Sequence, residues 1–269
     1  MWVLALDSAT PKLGAALARL ETEGEAAGSL SDLHLGRGEE GGGQHARRLP
    51  DLLLELLVDA DLGLEEVDAL VVGLGPGSFT GLRSGLATLN ALAYGRGCPI
   101  VGVGSLPGYA VDAARALEAG GEALPAEALL VPCLDARRAE VYAATCGPAG
   151  DLREPLGRAR TIAPAELLES LAGHPTEALF LFGPGGKAYP ELAASPAWRP
   201  ALPEHPTGAG LIVLAAPRLL AGESDDPLTL LPTYARKSEA ERKLEAGELK
   251  IRGLTAPAGP PAAGREDID

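Results

Sequence analysis

An α/β fold is predicted by the order of apolar segments along this 269-residue chain. Short apolar runs read as strands and longer runs with helical spacing lie between them. The first half reads strand, strand, strand, helix, strand, helix, strand. A second observation is repetition: "WVLALD" ends in Asp7, and "LLVPCLDARRAEVYAAT" passes through Asp135, each followed by a turn and a further strand. Two lobes of similar plan are what an internal duplication leaves; two unrelated strand–turn units account for the pattern nearly as well. A third is composition. Hydrophobic residues make up 46% of the chain and aromatics 4%, so a substantial core must be built from Leu, Val and Ala.

"WVLALD", "KLGAALARL" and "SLSDLHL" follow one another closely enough to predict an antiparallel meander. "GRGEEGGGQ" reads as a flexible loop. "HARRLPDLLLELLVDADLG" is a helix stopped by Gly63; "VDALVVGLG", "SFTGLRSGLATLNALAYG" and "CPIVGVGS" are strand, helix and strand. In the second half "PAELLESLAG" is helical, "EALFLFG" a strand, "GPGGKAYPEL" a glycine loop and "GAGLIVLAAPRLLAG" a helix that Pro217 kinks or shortens. The chain divides into lobes at 1–104 and 105–236 with an extension at 237–269. From Thr255 that extension is rich in Pro, Gly and Ala, then acidic, a composition that predicts disorder.

The formal charge of −14 repels phosphate backbones at long range, so the chain alone is a poor holder of nucleic acid. Cys98, Cys133 and Cys146 are odd in number and form no C-x-x-C pair. A disulfide framework and a zinc knuckle are disfavoured, and a reducing cytoplasm fits. The N-terminus has no basic region and meets Asp7, unlike a signal peptide, and no apolar run approaches the ~20 residues that span a bilayer.

"VVGLGPGSFTGLRSG", residues 71–85, invites a phosphate-loop reading. A Walker A loop needs a lysine after its last glycine; here Gly81 is followed by Leu82 and Arg83. A dinucleotide fingerprint needs a third glycine where Thr80 stands, and an acid at the end of the next strand, where "PIVGVGS" has none. What remains is geometric. Ser78 is placed to cap a helix whose apolar stripe is Phe79, Leu82, Leu86, Leu89 and Ala93. Its other positions include the small residues Gly81, Ser84, Gly85 and Ala91. In the preceding helix Leu49, Leu52, Leu53, Leu54, Leu56, Leu57 and Val58 cover an arc of roughly 240°, wider than the ~100° stripe of a surface helix. Burial within its own lobe and a surface shared with another chain explain that arc equally well.

Catalytic chemistry is sparse. His34, His45, His174 and His205 form no H-x-x-H or H-x-x-x-H pair, so no helical metal site is predicted, and Ser78 lacks the G-x-S-x-G setting of a nucleophile. No catalytic residue is assigned. Asp7 and Asp135 are the best catalytic acids on offer, each able to bind a metal or activate a nucleophile, although a strand-end aspartate is as often a turn former.

"GLGPGSFTGLRSGLATLNALA", with "LALDSAT", "LDARRAEVYAA" and "PTYARK" in the same order, resembles the bacterial TsaB (YeaZ) family of tRNA threonylcarbamoyladenosine biosynthesis proteins. The resemblance runs from the N-terminus to about Lys237. It implies the two-lobed ASKHA fold of actin, hexokinase and Hsp70-type ATPases, each lobe ribonuclease-H-like. Relatives that bind ATP use a D-x-G-[ST] hairpin in each lobe. Here the hairpins read Asp7-Ser8-Ala9-Thr10 and Asp135-Ala136-Arg137-Arg138, so the glycine is missing from both and the cleft is degenerate. The family shows a histidine six residues before the helix proline; Gln44 has that spacing from Pro50, and His45 follows it.

The resemblance further implies a non-catalytic scaffold subunit with no cofactor of its own. The catalytic paralogue TsaD would bind the metal and ATP, TsaE would be recruited as an ATPase, and tRNA would be met only through the complex. Pairing would run through the two first-lobe helices, at Leu49, Leu52, Leu53 and Leu56 on one and Thr80, Arg83, Ala87 and Ala91 on the other. An exposed apolar patch there also favours a homodimer when the chain is alone. The alternatives are an active ATP-dependent small-molecule kinase of the same fold, using Asp7 and Asp135, and a peptidase, for which no nucleophile–base set is present.

Overall fold

Apolar residues run without a break through the first strand up to Asp7, because both faces of its sheet are covered. The computed structural model describes residues 1–37 and 45–235. The chain separates into Met1–Arg236 and Lys237–Asp269, and every described residue lies in the first unit. The expected loop at 38–44 and the expected disordered tail lie outside the described residues, as does Gln44.

Strands β1 (Trp2–Asp7), β2 (Gly14–Leu20) and β3 (Leu30–Arg37) form the expected antiparallel meander. Strands β4 (Ala69–Gly73) and β5 (Ile100–Val103) then add in parallel, giving the order β3-β2-β1-β4-β5. Alternate side chains serve opposite faces. Leu4, Leu6, Leu17, Leu70 and Val72 point to helices α1 (His45–Asp59) and α2 (Phe79–Arg96). Val3, Ala5, Ala16, Ala18 and Val71 point the other way. Helix α2 starts where predicted: the Ser78 hydroxyl accepts from the Gly81 amide at 3.2 Å, and the helix ends on Gly97 at φ 65°.

The second sheet, order β8-β7-β6-β9, comprises β6 (Leu129–Arg137), β7 (Glu140–Ala143), β8 (Arg160–Ile162) and β9 (Leu179–Phe182). Helix α3 (Ser105–Ala119) covers one face through Leu106, Tyr109 and Ala113, and α4 (Pro164–Leu171) the other through Leu167 and Leu171. Two elements have no counterpart in the sequence reading. Helix α3 carries Pro107 and Gly108 in its first turn, and β8 is three residues long. The expected glycine loop is in fact two single helical turns, α5 (Gly185–Ala188) and α6 (Pro190–Ala193), because Gly185 and Gly186 let the backbone lie against Cys133 and Trp198.

Helix α7 (Ala209–Leu220) carries Pro217 and continues past it to Leu220. It comes late in the chain, yet Leu211, Ile212 and Ala215 pack against Val3, Ala5 and Val71 of the first sheet. The two sheets therefore meet through α3 and α7. These cross at Gly108 and Gly210, where a methyl on Gly210 would strike the Gly108 carbonyl. Beside the crossing, buried Asp112 of α3 caps α7. Its carboxylate accepts from the Thr207 amide, the Thr207 hydroxyl and the Gly210 amide, each at 2.7 Å.

Asp112→Ala leaves those three buried donors without an acceptor. Unsatisfied groups cost about 1–3 kcal/mol each, so the variant is expected to lose about 3 kcal/mol or more of stability in urea titration, and the cap assignment fails if its midpoint matches that of the parent.

Candidate functional site

Strand β1 delivers Asp7 to the place where a nucleotide-binding relative would hold phosphate, and the glycine-rich segment closes over it. Asp7, Ser8, Ala9 and Thr10 are at most 4% exposed. The Ser78 amide donates to the Ala9 carbonyl at 2.7 Å. Methyl groups built on Gly77, Gly81 and Gly85 would collide with the Ala9 carbonyl, the Ser8 carbonyl and the Ser8 hydroxyl, respectively. The glycines of "GPGSFTGLRSG" thus serve close backbone packing: α2 and its leading loop occupy the space above the turn.

Asp7 is held by few partners. Its Oδ1 accepts from the Ala9 amide at 2.8 Å, while Oδ2 is buried without a well-formed hydrogen bond, as is the Ser8 hydroxyl. Burial pushes the Asp7 carboxyl up to about 6, against the opposing pull of the Ser105 hydroxyl and the Ala9 amide; Asp112 adds to the rise. The Ser105 oxygen itself accepts from the Gly75 amide at 3.0 Å.

In the second lobe the β6–β7 corner carries Arg137, Arg138 and Ala139 at φ 63°, 60° and 61°, a left-handed run without glycine. Asp135 fixes that corner. Its Oδ1 accepts from the Arg137 amide at 2.7 Å and from the Tyr189 hydroxyl at 3.0 Å, and Oδ2 lies 3.3 Å from the Arg137 guanidinium. Asp7 and Asp135 are each engaged in shaping a turn. Among the described residues no three of His, Cys, Asp and Glu converge as metal donors.

The two first-lobe helices divide the expected interface residues. Thr80, Arg83, Ala87 and Ala91 lie on one exposed stripe of α2. Leu49, Leu52, Leu53 and Leu56 do not face outward: each is at most 5% exposed, inside the core between α1, α2 and the sheet. Gly36 of β3 brings the strand close under Leu52 and Leu56. The outward face of α1 is instead Asp51, Leu54, Glu55, Val58 and Asp59, with Leu54 56% and Val58 76% exposed. A 240° apolar arc has two edges, and its acidic neighbours at Asp51, Glu55 and Asp59 mark which edge meets solvent. That signal was present in the spacing.

The family model described as TsaD, tRNA N6-adenosine threonylcarbamoyltransferase, matches residues 39–198, more than half of the chain. TsaB of Bacillus subtilis, a tRNA threonylcarbamoyladenosine biosynthesis protein, is 29% identical over 255 residues, covering 90% of this chain and 97% of its own. This chain belongs to that family, in its TsaB/YeaZ branch. An uncharacterized protein of Mycobacterium tuberculosis is 33% identical over 249 residues, covering 89% of this chain and 93% of its own. YeaZ from Pseudomonas aeruginosa superposes with a TM-score of 0.61 at 26% identity, over 87% of this chain and 100% of that one. The TsaB/YeaZ fold is the two-lobed ASKHA arrangement, which agrees with the two sheets described above. Among the described residues no helix is long and apolar enough to cross a membrane.

The buried Asp7 carboxyl gives a pH signature. Its folded value near 6 lies above the ordinary 3.8, so the folded state binds the extra proton between those values. Stability therefore falls as pH rises through that window, and ionised Asp7 is a net burden above it. Asp7→Asn is expected to be more stable than the parent at pH 8, by up to roughly 3 kcal/mol, with the gap closing below pH 6. Denaturant titrations across pH 4–8 check this, and a gap that stays constant with pH contradicts it.

Proposed function

We propose that this chain is a non-catalytic subunit that pairs with a TsaD-type threonylcarbamoyltransferase through the exposed faces of α1 and α2, and so supports formation of threonylcarbamoyladenosine on tRNA. The observation that carries the reading is the filled turn after β1. A phosphate needs backbone amides open to it. Here the Asp7–Thr10 turn is buried, and the Ala9 carbonyl is bonded to the amide that begins the α2 cap. ATP and metal would then be handled by the catalytic partner. Its relatives' names support that partner's identity: TsaB belongs to threonylcarbamoyladenosine biosynthesis, and the matching family model is the transferase itself.

Exposed Leu54 and Val58, between Asp51, Glu55 and Asp59, form an apolar strip with a charged margin. Such margins are typical of partner surfaces. Ala87 and Ala91 let a partner helix approach closely. The same strip would serve a homodimer when the chain is alone, and a TsaE-type ATPase would join the assembled pair.

Leu54→Glu and Val58→Glu place charge on this strip without touching the core. Each is expected to weaken association with the catalytic paralogue about a hundredfold, to leave the melting temperature within a few degrees of the parent, and to lower transfer to tRNA in the reconstituted system. Undiminished association by both variants, or ATP turnover by the purified chain alone, removes the proposal.

A further inference from the structure

The segment "PTYARK" has no role in the function derived so far, yet residues 225–235 run as a strap along the edge of the first lobe. The Asp225 amide donates to the Ile100 carbonyl at 2.8 Å, and the Asp225 carboxylate takes the Gly102 amide and the Arg218 guanidinium. The Leu230 carbonyl accepts from the Asn90 side chain of α2 at 3.4 Å. The Thr233 amide donates to the Leu74 carbonyl at 2.8 Å, at the start of the glycine loop. The Ala235 carbonyl accepts from the Thr161 hydroxyl of β8 at 3.3 Å. Tyr234 is thereby fixed in place from both sides.

Its ring lies against α2. The Tyr234 and Phe79 centroids are 5.1 Å apart at 32°, and Arg83 is held between them and solvent. The Arg83 guanidinium carbon sits 3.9 Å from the Phe79 centroid and 5.9 Å from that of Tyr234, and Nε donates to the Tyr234 hydroxyl at 3.0 Å. Of the three phenylalanines, Phe180 and Phe182 are buried; Phe79 is left 40% exposed at this cluster. Among the described residues no carboxylate pairs with Arg83, in a chain carrying 37 acidic side chains.

We propose that Phe79 and Tyr234 hold Arg83 as a preset cation that docks a carboxylate of the catalytic partner, so that the strap completes a binding surface the two helices only begin. This rests on the pairing reading above and adds the chemistry of the partner's contact. An exposed arginine ordinarily loses rotamer freedom when it binds; one already fixed by a ring and a hydroxyl has little left to lose, and its planar fork suits a carboxylate. The surface then has opposite signs at two points, Asp51, Glu55 and Asp59 on α1 and Arg83 on α2. A complementary partner would be seated in one orientation only. A phosphate would also suit the fork, but the strongly acidic chain opposes a nucleic acid at long range, which favours a protein carboxylate.

The test titrates the full-length chain against the catalytic paralogue by calorimetry, with Leu54→Glu as the control for the pairing surface. Arg83→Gln and Tyr234→Ala are each expected to weaken binding about tenfold, and Tyr234→Phe, which keeps the ring, by less. Because Tyr234 acts through Arg83, adding Tyr234→Ala to Arg83→Gln should cost less than twofold more. A Tyr234 effect of equal size in both backgrounds means that the strap acts only through folding, and overturns the proposal. Loss of binding in Leu54→Glu with both single variants unchanged overturns it while leaving the pairing reading intact. If all three bind like the parent, both fall. Weakened tRNA binding by the Arg83→Gln complex with pairing unchanged would make the ligand a phosphate, and likewise overturns it.

Discussion

The packing of three glycines against one turn constrains most of what this molecule can do. Gly77, Gly81 and Gly85 bring α2 into backbone contact with Ser8 and Ala9, closer than any side chain would allow. That contact seals the first-lobe turn, leaves Asp7 buried, and sets the axis of α2. It also decides which face of α2 is turned outward. With the glycine edge inward, Thr80, Arg83, Ala87 and Ala91 must face solvent. A loop that resembles a phosphate cradle in sequence therefore packs against the first-lobe turn and turns one stripe of α2 to solvent.

The same economy governs α1. Five of its aliphatic side chains, Leu49, Leu52, Leu53, Leu56 and Leu57, are committed to the lobe's own core, and two, Leu54 and Val58, are exposed among acids. Interiors tolerate little displacement, so a partner has access to the exposed pair and to the α2 stripe without rearrangement of the sheet. The strap at 225–235 reinforces this, because it is bonded to the loop, to α2 and to the second sheet at once.

Much of this was legible in the sequence, and the failures have physical causes. The meander, the strand–helix alternation that follows it and the Ser78 cap follow from periodicity and local chemistry. Helix α3 was hidden because its first turn holds Pro107 and Gly108, and the glycine is there for the crossing with α7, a contact between residues far apart in sequence. The leucine face of α1 was misassigned because hydrophobicity measures the wish for burial and not its provider; only the neighbouring acids distinguish the edges of the arc. The Arg83–Tyr234 contact joins residues 151 positions apart, and no local pattern announces it.

The packing of α7 on the first sheet has a consequence for synthesis. The first sheet is finished by residue 103, but the layer on its second face is supplied by α7, which begins at Ala209. Many proteins acquire structure domain by domain as they leave the ribosome. Here the earliest strands emerge with one flank bare, and must wait for more than a hundred further residues before that flank is roofed. Until α7 is made, the nascent chain leaves Val3, Ala5, Val71 and Val101 without the helix that buries them.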